Sequence, residues 1–352
     1  MSNMVIGGYG QVGSIVSKAL SSVIVAGRSL QKAEQFIKKE KIKGEARAID
    51  TSKLADRDFA GVDTIVMCVE SNNEEVFLQC IKRKIHYIDI SPTSTILDRL
   101  MVHKQEAEHA GIHVILGVGI APGISNLLCE KAVEGFTSIN TIDSYLMLGT
   151  GEDHGANAIQ WLFHQLGLKQ EGRRAFMNKA KIQIPRQKGR KVQIFTNIHL
   201  ADAPIMESFH KGATVHSWFS YDVNWITRLV VTMQRWGILS KVLCGSEKHV
   251  TRLIKSTTSL MKLAQKMHIG TAEYISHVVV TGQKAGSLYR REVSIHGFEN
   301  RQLTGAVAAY VARNITSYEN GIYYLQEVVS LDQLGELNLH LIDQEMRVSS
   351  AR

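Results

Sequence analysis

The sequence predicts an α/β chain: a parallel sheet of the dinucleotide-binding kind, with a second α+β domain inserted before a C-terminal helical return. Three observations predict it. An apolar strand over 4–7 runs directly into Gly8-Tyr9-Gly10-Gln11-Val12-Gly13. Strand and helix patterns then alternate up to residue 130, at the spacing of parallel strands joined by crossover helices. After residue 138 the alternation gives way to longer extended segments.

The first half reads as strands at 4–7, 23–26, 46–49, 64–69, 86–90 and 112–117, with helices at 11–20, 30–39, 73–83 and 95–110. Six short strands suit a doubly wound sheet of Rossmann type. The stretch 51–60 has room only for a short helix. Cys68 falls inside the apolar pattern of the fourth strand and is expected to be buried. In the second half, 139–148 reads as a strand, and the loop 149–155 leads into a helix ending near Leu166. Residues 192–200 read as extended and 222–265 as mainly helical. Residues 272–281 and 287–296 alternate as a hairpin across 283–286, within an open antiparallel sheet. A last helix is expected over 304–314, and frayed chain over 347–352. The domain bounds that follow are 1–125, 126–303 and 304–352, the last returning toward the nucleotide domain.

Composition narrows the functional classes. With 352 residues and 44% hydrophobic content, the chain can bury two cores. The net charge of +8 is spread over short clusters such as Lys38-Lys39, Lys82-Arg83-Lys84 and Arg173-Arg174. Such clusters are usually solvated faces and can steer an anionic ligand. No zinc-finger, basic-zipper or RNP motif accompanies them, so nucleic acid is not an expected partner. Cys68, Cys80, Cys129 and Cys244 form no CxxC pair and no metal framework. Reduced thiols, a first segment that reads as a strand, and the lack of an apolar run of about 18 residues point to a cytoplasmic protein with no membrane span.

The glycine loop assigns itself roles. Gly8 permits the tight turn, Gly10 lets a pyrophosphate approach the backbone, and Gly13 lets the helix pack on the sheet; Tyr9, Gln11 and Val12 complete the loop. The tip of the second strand reads Val25-Ala26-Gly27-Arg28-Ser29, with no acid to take a ribose hydroxyl. Arg28 can fork onto a 2′-phosphate, Ser29 can donate to it, and Lys32 lies one helical turn on. These residues favour NADP over NAD. The same tip also reads as a surface arginine and a helix N-cap. Asp50, ending the third strand, either accepts from an adenine amino group or caps its turn. Cys68 and Val69 end the fourth strand, where the nicotinamide half of the crevice begins. Asp89 and Ser91 end the fifth, where Asp89 either holds the loop or meets a substrate.

In combination these pieces resemble the saccharopine dehydrogenase family in its NADP-binding reductase branch. The matching pieces are the 8–13 fingerprint, Val25 to Ser29 with Lys32-Ala33, and Asp63 to Val69 with its Cys68. His86-Tyr87-Ile88-Asp89-Ile90-Ser91 and Gly117-Val118-Gly119-Ile120-Ala121-Pro122-Gly123-Ile124-Ser125-Asn126-Leu127 follow in the family's order. Thr304-Gly305 with Ala308-Ala309 is similar to the family's late helix. The resemblance implies an NADP-dependent oxidoreductase that transfers hydride to or from an imine or amine of an amino-acid-like substrate, working as a homodimer through the second-domain sheet. It also implies that Pro122 and Gly123 border the substrate. Two features depart from the family: Ala121 stands where it carries an Asp, and Leu148 to Gly155 replaces its Cys-Gly-Gly run.

The loop 149–155 offers this chain's own candidates. His154 can shuttle a proton near neutral pH, Asp153 can orient it, and Glu152 can contact substrate. Equally, Asp153 can cap the next helix and leave His154 in solvent. Arg173, Arg174, Arg186 and Arg190 are candidate carboxylate anchors. Trp218, Trp225 and Trp236 read as core or dimer contacts. Two other functions stay open: a catalytically silent NADP-binding sensor or structural protein, and an oxidoreductase of a lipid-like carbonyl.

Overall fold

The computed structural model describes residues 1–71, 73–152, 161–162, 165, 179–186, 189–236, 259, 266–267 and 269–348. The chain forms two compact units, Met1–Leu127 with Arg301–Asn338, and Leu128–Asn300 with the segment from Leu339.

In the first unit the strands are β1 (Asn3–Ile6), β2 (Val23–Gly27), β3 (Gly44–Ala48), β4 (Thr64–Met67), β5 (His86–Asp89) and β6 (His113–Leu116). A further strand, Gly321–Tyr324, pairs parallel with β6, so the sheet has seven strands where the sequence suggested six. Four residues between loop signals carry too little periodicity to be read as a strand. The order across the sheet is β3-β2-β1-β4-β5-β6 and then Gly321–Tyr324, all parallel. This is a Rossmann sheet, and its order reverses between β1 and β4. A ligand crevice opens at such a reversal, outside the carboxyl ends of the strands. Met4, Val5, Ile6, Ile65, Val66, Met67, Ile88 and Ile115 are buried, as befits strands covered on both faces.

Helices α1 (Gly13–Ala19), α2 (Leu30–Glu40), α3 (Glu75–Arg83), α4 (Ser94–Met101), α5 (Lys104–Ala110) and α6 (Ile124–Val133) alternate with them. Lys38-Lys39 and Lys82-Arg83 prove to be the last turns of α2 and α3, where cations complement the helix dipole. The single helix expected over 95–110 is two helices. The chain turns at Val102-His103, and the His103 ring joins Glu74 and Glu106. β4 ends at Met67, so Cys68 lies just past the strand and is partly exposed, against the expectation of a buried strand residue.

The second unit holds a seven-stranded mixed sheet. β7 (Ser138–Leu148) is central and pairs antiparallel with β11 (Glu273–Lys284) but parallel with β10 (Thr214–Tyr221), so the expected all-antiparallel sheet is corrected. β8 (Lys179–Arg186) and β9 (Gly189–Asn197) form one flank. The hairpin is longer than expected. β12 (Ser287–Phe298) returns from β11 over a two-residue turn, Ala285-Gly286, both with positive φ, as tight hairpin turns require. The last strand, His340–Arg347, pairs with β12. The segment from Leu339 therefore returns to the second unit and not, as expected, to the nucleotide domain. The late helix starts at Asn300, earlier than Thr304, and ends at Arg313. Of the helical region 222–265, the helix Asn224–Arg235 is described and most of the rest lies outside the described residues.

Candidate functional site

The loop after β1 is built by absent side chains. Gly7 is the residue with a left-handed backbone, φ +84, so the positive-φ turn position falls one residue before Gly8. Two adjacent glycines leave that choice open in the sequence. Gly8 is required for closeness instead: a Cβ there would stand 2.8 Å from the Val5 carbonyl oxygen. At Gly13 it would stand 2.2 Å from the Gly7 oxygen, and at Gly10 3.0 Å from the same atom. The Gly10 N–H closes the turn onto that oxygen at 2.8 Å. The buried Ser17 hydroxyl donates to the Gly8 carbonyl at 2.9 Å, a clamp that sequence reasoning missed. Gly10 and Gln11 face solvent, so this backbone is open to a pyrophosphate, and the loop fits a dinucleotide.

The late helix supports the loop from behind. Gly305 meets Ile15 so closely that a Cβ would fall 2.7 Å away. Arg301 donates to the Gln11 side chain at 2.8 Å, which sets a cation at the rim of the loop. A residue 290 positions away gives no local signal of this.

At the tip of β2, Arg28 is exposed and Ser29 half-buried. The Ser29 hydroxyl accepts from the Lys32 N–H at 3.3 Å, so the N-cap role is real, while Lys32's side chain stays exposed. The Ser29 N–H donates to the Tyr9 hydroxyl at 3.1 Å, and the Tyr9 ring lies against Gly27. Asp50 caps its own turn, accepting from the Ser52 hydroxyl at 2.7 Å and the Ser52 N–H at 3.0 Å. These bonds, helped by Lys53 and Arg28, hold its carboxyl below the usual range. Beside it an open cavity of about 670 Å³ lies at the ligand edge, lined by Ser52, Lys53, Leu54, Asn73, Leu78 and the acids Glu74 and Glu75.

Across the reversal, Cys68 and Val69 border Gly7: a Cβ on Gly7 would stand 2.6 Å from a Val69 methyl and 3.3 Å from the Cys68 oxygen. Burial of the thiol, and then the nearby Asp89 charge, push the Cys68 pKa up, which favours the protonated thiol over the thiolate. Asp89 is buried and holds its loop: it accepts from the Tyr87 hydroxyl at 2.7 Å and the Ser91 N–H at 2.6 Å. Burial raises its pKa despite these bonds. Ser91 is buried beside it.

Pro122 and Gly123 lie buried in the loop after β6. The Gly123 N–H donates to Asn126 Oδ1 at 3.0 Å, so that donor is already committed within the loop and is not offered to a carboxylate. Glu152 is buried and receives the Asn300 N–H at 3.1 Å and the Asn300 side-chain amide at 2.5 Å. It caps the start of the late helix. Asp153, His154, Arg173 and Arg174 lie outside the described residues. Of the other anchor candidates, Arg186 pairs with Glu273 and Arg190 with Glu292, so both are committed within the second sheet. Among the described residues, no cluster of metal-ligating side chains occurs, and no helix is long and apolar enough to cross a membrane.

A small cavity of about 130 Å³ in the second unit escaped sequence reasoning. It is lined by Glu273, His296, Gly297, Phe298 and His340, and the His296 and His340 rings stack at 5.3 Å. Those residues are adjacent only through the β11–β12–His340–Arg347 register.

No protein-family model matches the chain, and no curated protein matches it by sequence. Solved structures do. Apo saccharopine dehydrogenase (L-Glu forming) from Saccharomyces cerevisiae aligns over 98% of this chain and 100% of its own, with TM-score 0.68 and 13% identity. The chain has a saccharopine dehydrogenase fold. Looser matches are an engineered D-amino acid dehydrogenase bound to NADP+ (14% identity, 95% of this chain and 98% of that one, TM-score 0.48) and the C. glutamicum DAP dehydrogenase in complex with DAP (15%, 96% and 98%, 0.46). At 13% identity the first likeness speaks for the fold alone.

Proposed function

We propose that this chain is an NADP-dependent oxidoreductase that transfers hydride to or from an imine or amine of an amino-acid-like substrate. One observation carries the reading. A glycine loop with no room for a Cβ at Gly8 or Gly13 stands at the order reversal of a Rossmann sheet, and the tip of the neighbouring strand presents Arg28 and Ser29 with no acid. In this reading the backbone of residues 8–13 holds the pyrophosphate, Arg28, Ser29 and Lys32 hold the 2′-phosphate, and the cavity beside Ser52 and Leu78 takes the adenine. The bound cofactor supplies the hydride.

The protein's own share is positioning and proton management. Cys68, Val69 and Ser91 line the strand ends on the nicotinamide side, and the loop at Pro122 and Gly123 forms a wall of the substrate space. Asp153 and His154 are the proposed proton-transfer pair, with the imidazole giving or taking the proton of the substrate nitrogen. The protein is proposed to be a cytoplasmic homodimer. The exposed Trp225 and Leu229 on the helix Asn224–Arg235, with the exposed Trp236 just past its end, support a contact with another surface, whereas Trp218 belongs to the core.

A second reading, a silent NADP-binding sensor, is favoured by a specific observation. Ala121 is apolar, and both Asp89 and Glu152 are engaged in structural hydrogen bonds. A turnover screen decides between them. Primary amines paired with 2-oxo acids are incubated with NADPH and followed by loss of nicotinamide absorbance. An enzyme gives turnover that His154→Gln lowers by about a hundredfold. A sensor binds NADPH and gives none with any pair.

A further inference from the structure

Tyr9 is the x of a Gly-x-Gly turn, a position that phosphate loops normally use only for its backbone. Here its side chain has a defined place. The phenol end of the ring lies against Gly27 at the end of β2, so closely that a Cβ on Gly27 would fall 2.7 Å from the ring. The phenol oxygen accepts the Ser29 N–H at 3.1 Å. That bond uses one lone pair of the oxygen and leaves its proton unspent: among the described residues no acceptor takes it. The phenol thus stands between the residues flanking Arg28, with its O–H available at the tip of the strand.

We propose that Tyr9 is a specificity-determining residue for the nucleotide, its hydroxyl donating to the 2′-phosphate while the Ser29 N–H holds it in place. This rests on the NADP reading and adds a donor to it. A phosphate at that tip would meet a cation from Arg28 and a neutral O–H from Tyr9. The ribose hydroxyl of NADH carries no charge there and would gain far less from either. Gly27 belongs to the same device, because a side chain there expels the ring. The device spans the phosphate loop and the strand tip, and so couples closure of the loop to recognition of the phosphate.

The test is nucleotide binding by cofactor fluorescence, with NADPH and NADH as probes, on wild type, Tyr9→Phe, Gly27→Ala and Arg28→Ala. Tyr9→Phe keeps the ring and removes only the hydroxyl. It is expected to weaken NADPH about tenfold, the loss of one hydrogen bond to a charged group, and to leave NADH within about twofold. Gly27→Ala is expected to reproduce that selective loss with the hydroxyl intact. Unchanged NADPH binding in Tyr9→Phe, with Arg28→Ala still selective, overturns the Tyr9 role and leaves the NADP reading standing. Tighter NADPH binding in Tyr9→Phe also overturns it, since the phenol would then compete with the phosphate. Equal loss of NADPH and NADH overturns it too, because the ring would then be shaping the whole loop. If wild type binds neither nucleotide, the NADP reading falls and the Tyr9 role falls with it.

Discussion

In the first sheet, β1, β4, β5 and β6 carry apolar residues through their centres, and the polar groups of interest stand at the strand ends or just past them: Asp89 closes β5, and Arg28, Asp50 and Cys68 follow their strands. In the second sheet the polar groups lie inside. Asp202 receives the Ser144 and Ser217 hydroxyls at 2.7 Å each, from β7 and β10. Gln193 donates to the Ser220 hydroxyl at 2.7 Å and the Tyr221 carbonyl at 2.6 Å. Asp222 takes four donors, from Thr150 and Thr271. His277 is 1% exposed on β11, next to Tyr145. A parallel sheet covered on both faces leaves polar chemistry only its loop edge. The mixed sheet uses internal polar pairs to fix register between strands distant in sequence, and each pair becomes costly once one partner is removed.

The largest effect expected from this contrast is at Gly13. Gly13→Ala sets a Cβ 2.2 Å from the Gly7 oxygen, which is backbone and cannot swing aside. Nucleotide affinity should fall at least about a hundredfold in a fluorescence titration, with the second sheet's hydrogen-exchange protection unchanged. Near-normal binding would mean the loop is a plain turn.

In the second sheet, Asp222→Ala strands the Thr150 and Thr271 N–H groups, which donate to the carboxylate at 2.9 Å and 2.6 Å. A loss of about 3–5 kcal/mol in denaturant unfolding is expected. A loss below about 1 kcal/mol would show that water replaces the carboxylate easily.

His277 ties the same sheet to pH. Burial pushes its pKa down to about 4, against a pull upward from Glu292 and with Arg190 and Arg290 adding to the depression. Burial opposes ionisation of Glu292 as well, but its hydrogen bond from Arg190 and the charges of His277 and Arg290 hold it below the usual range. Folding therefore favours the neutral imidazole. The stabilisation is intact above the unfolded value of 6.5 and is lost as pH falls from there toward about 4, by a total on the order of 3 kcal/mol. Exchange protection of β11 amides followed from pH 7 to 4 should show this limb, and His277→Leu should flatten it. An equally steep limb in the variant would assign it to carboxylates.

The smallest effect sharpens the border between site and scaffold. Glu152→Gln keeps an acceptor for Asn300, so it should lower stability by only about 1 kcal/mol in thermal unfolding. Wherever turnover is found, it should leave KM unchanged. A raised KM would return Glu152 to the substrate.

The same contrast explains what the sequence could reveal. The glycine loop was legible because the need for a missing Cβ is local: Gly10 and Gly13 are both fitted to Gly7, within six residues. Asp89's structural role was legible in principle, since its partners Tyr87 and Ser91 sit two residues to either side. Tyr9's contact with Ser29 was not, because it needs β1 and β2 side by side. In the second unit almost every informative contact is of that kind. The parallel β7–β10 pairing, the return of His340–Arg347 to β12, and the Glu152 cap on Asn300 each join segments whose own patterns are unremarkable. The Gly7-Gly8 pair is the reverse case, where two identical residues hide which one carries the turn.

The most direct test of the central claim is the ratio of NADPH to NADH affinity in wild type and in Arg28→Ala. Wild type should bind NADPH at least about tenfold more tightly than NADH, and the substitution should remove most of that ratio by weakening NADPH alone. Equal affinities in wild type, or a ratio untouched by the loss of Arg28, would contradict the claim.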